Sequence, residues 1–147
     1  IEATTLLTNQ SITPRIFSMA RPRKFNEGDV IALASQTFAK LGFHGTSIDD
    51  LLLSTNLQRG SLYQAFGSKL GLFKIVLASA LNEGWEQRDL SLNLMIVAIR
   101  DLAGEDRDIR NLCVEAIEKT FNDSTLDAAK TFGMQLLKNL EETHAKL

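Results

Sequence analysis

An all-α fold is what this 147-residue sequence predicts, and three observations predict it. Its two prolines, Pro14 and Pro22, both precede residue 23, so no proline interrupts a helix further on. From residue 26 onward apolar side chains recur at i, i+3 and i+4, the period of a helix with one buried face. Between the periodic stretches stand helix start and stop signals, Asn26, Gly42, Ser47 and Gly67-Ser68 among them.

Residues 1–19 carry one acid, one base and no helical period, and read as a poorly ordered leader or an added tail ahead of a start at Met19. They lack the basic start and continuous apolar run of a secretion signal. The first strong helix covers about 26–41, with Asn26 as its cap, Glu27 and Asp29 in its first turn, and Gly42 as its stop. Val30, Ile31, Ala34, Phe38 and Leu41 form its apolar stripe.

The second helix is short, opening at Ser47, whose spacing to Asp50 resembles a capping box, and ending near Asn56. The third, about 58–66, offers only Leu62, Phe66 and part of Tyr63 to a core. The fourth follows Ser68 and is so broadly apolar, through Leu70, Leu72, Phe73, Ile75, Val76 and Leu77, that it must touch two neighbours. Three more helices are expected at about 90–102, 107–121 and 125–145. The first of these is apolar nearly all round, as an enclosed helix is. The last has Gly133 in mid-helix, which permits another backbone to approach closely.

Composition narrows the function. A single cysteine, Cys113, excludes an intramolecular disulfide framework, and with His44 and His144 as the two histidines a Cys/His metal site has too few ligands. Cys113 falls on an apolar stripe with Leu112 and Ala116, which argues for burial. No run reaches the roughly 18 apolar residues of a membrane span, so a soluble protein with no membrane partner is expected, and the single cysteine fits a reducing cytoplasm. No nucleophile–base pair, metal cluster or phosphate-cradling glycine loop is visible, so neither an enzyme nor a cofactor is expected. The net charge of −2 hides an asymmetry: residues 15–74 carry +4 and the rest of the chain from 75 carries −5. A basic front half suits a polyanion, although ordinary scatter of surface charge reads the same way.

Two short helices joined by a tight turn, the second starved of apolar residues, make a helix-turn-helix; the plain alternative is a helical hairpin with a solvated face. The outer face of the second helix is then free for a major groove, where Arg reads guanine, Gln reads adenine and Ser or Tyr bonds phosphate. Gln58, Arg59, Ser61, Tyr63 and Gln64 supply those groups, and Gly60 lets the backbone lie close. Helix starts at Ser47, Gln58 and Ser68-Lys69 offer amides to phosphates. Upstream, Arg21, Arg23 and Lys24 suit a basic arm for a minor groove, or a solvated tail.

The stretch from Phe38-Ala-Lys-Leu-Gly through Thr46-Ser-Ile-Asp-Asp50, and then Asn56-Leu-Gln-Arg-Gly-Ser-Leu-Tyr-Gln-Ala-Phe-Gly-Ser-Lys69 with Leu72-Phe73, resembles the DNA-binding head of the TetR family of regulators. Gly60, Ser61, Leu62, Tyr63, Phe66, Ser68 and Lys69 match that family's pattern, while Gln64-Ala65 departs from it. The resemblance implies DNA contacts from Thr46 or Ser47, Arg59, Ser61, Tyr63, Gln64 and Lys69, with Tyr63 and Lys69 on phosphates. It implies a repressor that binds a palindromic operator as a homodimer and is released by a small hydrophobic or amphipathic inducer. Family bodies are several helices larger than this one, which leaves open a DNA-binding or partner-binding dimer with no inducer pocket.

The expected architecture is therefore a leader (1–19), a three-helix helix-turn-helix head (20–68), and a linking fourth helix followed by a short helical dimerisation bundle (69–147). Specific recognition needs two heads about 34 Å or a multiple apart, so the body must hold them. The last helix suits that task through Phe132, Gly133, Leu136, Leu137 and Leu140, rimmed by Lys130, Lys138, Glu141 and Glu142; the other reading is that this stripe covers its own subunit. Trp85, Met95 and Phe132 are candidates for an inducer cavity, or else plain core.

Overall fold

Within residues 25–146, which the computed structural model describes, the chain is helical throughout and its helix boundaries follow from local capping chemistry. Helix α1 (Glu27–Leu41) starts where the Asn26 side chain accepts from the Gly28 N–H and stops at Gly42, which takes φ 77°. Helix α2 (Ile48–Thr55) opens with a complete capping box between Ser47 and Asp50 and ends on Asn56 in the left-handed conformation. Helix α3 (Arg59–Phe66) and helix α4 (Lys69–Ala80) follow, the latter capped by Ser68, whose hydroxyl accepts from the Gly71 N–H. Helices α5 (Asp89–Asp101), α6 (Arg107–Phe121) and α7 (Thr125–His144) complete the body. A short 3-10 turn at Trp85–Gln87, which periodicity does not announce, joins α4 to α5.

Packing explains the broad apolar surface of α4, which lies against α1 on one side and α5 on the other, with Leu72, Phe73, Val76 and Leu77 buried. Helix α5 is the hub: it meets α1, α4, α6, α7 and the 3-10 turn. It is less enclosed than its composition suggests, since Leu90 and Ile99 near its ends are exposed. Two aromatic clusters mark the two halves. Phe38, Phe43 and Phe73 meet at centroid distances of 5.0 to 6.1 Å where α1, its following turn and α4 converge. Trp85, Phe121 and Phe132 meet at 6.1 to 6.5 Å between the 3-10 turn, α6 and α7.

Cys113 is buried, and burial pushes its thiol up to about 11. Among the described residues no helix is long and apolar enough to cross a membrane. The expected leader and the arm residues Arg21, Arg23 and Lys24 lie outside the described residues.

Candidate nucleic-acid interface

Only Leu62 and Phe66 of the eight residues in α3 are buried, and they seat the helix on α2 and α4. Ala65 packs against the same core, while Arg59, Gly60, Tyr63 and Gln64 are exposed and Ser61 is half-buried at the margin. Gln58 is exposed ahead of them and makes no side-chain cap, so the first amides of α3 are available to an anion. At the other two helix starts expected to serve phosphates, Ser47 and Ser68 already accept from an amide of the first turn. A β-carbon added at Gly60 meets nothing within 4 Å, so its own chain places no demand for glycine there.

Arg59 does not hang free. Its Nη2 lies 2.5 Å from Asp49 Oδ1 on α2, with the two side chains 54% and 81% exposed. Exposed pairs of this kind are worth at most about 1 kcal/mol, so a base edge or phosphate can displace the carboxylate. Asp50, beside it, is held below the usual carboxylate range by the Ser47 hydroxyl and then by the Ser47 N–H. No local sequence pattern announces the Asp49–Arg59 pair, because its members are ten residues apart on different helices.

Thr46 and Lys69, two of the expected DNA contacts, have partners within the chain. Thr46 is 0% exposed and its hydroxyl donates to the Gly42 carbonyl at 2.6 Å, so it locks the turn and has no side-chain group to offer. Lys69, expected on a phosphate, turns inward instead. Its ammonium donates to the carbonyls of Phe43 (3.0 Å) and Thr46 (2.9 Å) and sits 4.4 Å from the centroid of the Phe43 ring. Ser47 is exposed, with its hydroxyl committed to the capping box.

The turn that carries Thr46 is tied to the body as well. The Phe43 N–H donates to Asp101 Oδ2 at 2.9 Å, and His44 Nε2 donates to the Asp101 carbonyl at 3.1 Å. Arg100, paired with the Asp101 carboxylate, and then the Phe43 N–H hold that carboxyl below the usual range.

In the body the three cavity candidates do not line one space. Met95 is fully buried core. Trp85 donates to Thr120 Oγ1 at 2.8 Å and borders a groove of about 470 Å³ with Leu81, Gly84 and Ala116. Phe132 stacks on Trp85 and borders a second, more apolar groove of about 580 Å³ with Ile99, Ile117, Phe121 and Ala128.

Helix α7 lies against α5 and α6 by an unexpected face. Ala128 and Gln135 are its buried residues, and Gln135 donates to Asn139, which donates to Asn93 of α5. Leu136, Leu137 and Leu140 point away, at 53%, 58% and 60% exposed. Phe132 therefore belongs to its own subunit's aromatic cluster, not to the outward stripe, whereas Gly133 is half-buried with open space where a β-carbon would stand.

Residues 30–76 match the family described as bacterial regulatory proteins, tetR family. The HTH-type transcriptional regulator YezE of Bacillus subtilis is 36% identical over 63 residues, which are 43% of this chain and 32% of that protein. The HTH-type transcriptional repressor BdcR of Escherichia coli is 30% identical over 99 residues, 67% of this chain and 45% of that protein. The matched stretches thus span less than half the length of either relative. No solved structure matches the chain.

Proposed function

The chain belongs to the TetR family of bacterial regulatory proteins by its N-terminal domain, and on that premise we propose that it is a transcriptional repressor that binds a palindromic operator as a homodimer. The observation that carries this reading is α3, an eight-residue helix with two buried side chains and a polar outer face. In the proposed complex α3 enters a major groove with Arg59 and Gln64 at base edges, Ser61 and Tyr63 at phosphates, and Gly60 where the backbone comes nearest. In this reading the head runs over 20–68, of which 25–68 are described, and the body that joins two heads over 69–147, described to 146, α4 serving both. Such a protein acts beside the chromosome in the cytoplasm, and its role is regulatory rather than catalytic.

The dimer reading is supported by the outward leucines of α7. A helix that turns Gln135 and Asn139 to its own subunit and Leu136, Leu137 and Leu140 to solvent keeps its larger apolar face for a second helix. Gly133 sits on that face with space for a crossing backbone. The groove bordered by Ile99, Ile117, Phe121 and Phe132 adjoins α7 and suits a small hydrophobic or amphipathic inducer. A dimer without an inducer fills the same groove with partner side chains.

The test starts from duplexes enriched out of a random pool by the wild-type chain. Arg59→Ala weakens binding to the enriched duplex by about 1 to 3 kcal/mol in an anisotropy titration. Equal binding by wild type and variant contradicts the assignment.

A further inference from the structure

The feature that the DNA-binding face does not absorb is the joint between the α1–α2 turn and the end of α5. Asp101 closes α5, where a carboxylate meets the negative end of the helix dipole and is disfavoured. Its environment compensates for that position. Arg100 bonds it through Nε (2.5 Å) and Nη2 (3.0 Å), and the Phe43 N–H, 58 residues away, donates to Oδ2. His44 reaches the Asp101 carbonyl from the same turn. Gly42 lies against the same pair: its φ of 77° favours glycine, and a β-carbon there would fall 2.7 Å from Arg100 Nη2 and 3.2 Å from Asp101 Oδ2, so the turn sits close on the end of α5.

The turn is rigid as well as tethered. Thr46 bonds Gly42 through its buried hydroxyl, the Thr46 N–H donates to the Phe43 carbonyl, and Lys69 at the start of α4 holds the carbonyls of Phe43 and Thr46. The next residue, Ser47, is the cap of α2. Whatever fixes Phe43 relative to the body therefore fixes where α2, and α3 seated on it, begin.

We propose that Asp101 is a positioning residue for DNA recognition: from the end of α5 it registers the helix-turn-helix against the body through the Phe43 N–H. This rests on the DNA-binding reading above. Asp101 touches no DNA. Its effect falls on the placement of α3, so it governs discrimination between the enriched duplex and random sequence more than the sequence-independent attraction to phosphates.

The experiment compares wild type with Asp101→Ala, Asp101→Asn and Arg100→Ala on the enriched duplex and on a random-sequence duplex, with helix content and melting temperature followed in parallel. Asp101→Ala should bind the enriched duplex about ten-fold more weakly while random-duplex affinity and its salt slope stay put. Asp101→Asn, which keeps an acceptor for the Phe43 N–H, should recover most of the loss. A wild-type chain that enriches no duplex refutes the DNA-binding reading itself. A folded Asp101→Ala chain with wild-type discrimination, or one that loses both duplexes equally, refutes the joint alone. Should Asp101→Ala not fold, Arg100→Ala decides: a smaller loss confined to the enriched duplex supports the joint, and wild-type behaviour overturns it.

Discussion

Arg59 and Gly60 stand side by side at the start of α3, and substitutions at the two should differ in what they do to the fold. In the proposed complex Arg59 trades a weak partner, Asp49, for a stronger one, so its removal should cost affinity and leave the fold alone. At Gly60 a methyl group meets no atom of its own chain, and alanine is the better helix former by about 1 kcal/mol. Gly60→Ala should therefore raise the melting temperature while weakening binding to the enriched duplex, because the added carbon keeps the backbone off the DNA. Thermal unfolding followed by circular dichroism, beside an anisotropy titration, checks both signs; tighter or unchanged binding would show that close backbone approach is not needed. That Arg59 and Gly60 lie on an exposed helix face was legible from residue type and spacing. Orientation was not: nothing near Thr46 or Lys69 in the sequence tells that the first is sealed in a turn and the second bends back onto it.

Element boundaries were the most readable feature, because caps are local chemistry: Asn26, Ser47, Ser68 and Ser124 each bond an amide within three residues. Pairings across elements were not readable. Asp106, which caps α6 through the Ile109 N–H and also bonds Lys74 of α4, is such a case. The Ile109 N–H first, then Lys74, holds its carboxyl below the ordinary value. A lowered folded-state value means that the stabilisation is fully present above the ordinary carboxylate range and is lost as pH falls through the folded value. The melting-temperature advantage of wild type over Asp106→Ala should thus be largest near neutrality and shrink below about pH 4. An advantage independent of pH would remove the carboxylate from the tie between α4 and α6. Helix α7 teaches a related lesson: its apolar period was legible, but not which face meets its own subunit, since a partly buried Gln–Asn–Asn ladder took the side that composition would assign to leucine. Leu136→Glu should accordingly leave helix content and the melting of the single chain little changed, yet yield monomers in sedimentation and abolish binding to the enriched duplex. A dimer that survives the substitution places the interface elsewhere.

For the whole molecule, head and body meet through the shared helix α4, the packing of α1 on α5 and the Phe43–Asp101 joint, which together fix how the helix-turn-helix sits on the body. In the proposed complex the basic front half faces a polyanion and the acidic rear half stays clear of it. A single head of this size makes few base contacts, and in the proposed dimer the outward leucines of α7 pair two heads. These features converge on one arrangement: two copies on one duplex, each with α3 in a major groove, on half-sites related by two-fold symmetry. Hydroxyl-radical footprinting of the enriched duplex, with the complex's mass measured in the same buffer, tests it most directly. The expected result is two protected patches about 34 Å or a multiple apart, with two chains per duplex. One patch with one chain per duplex, or no protection at concentrations where the wild-type chain is fully folded, would contradict it.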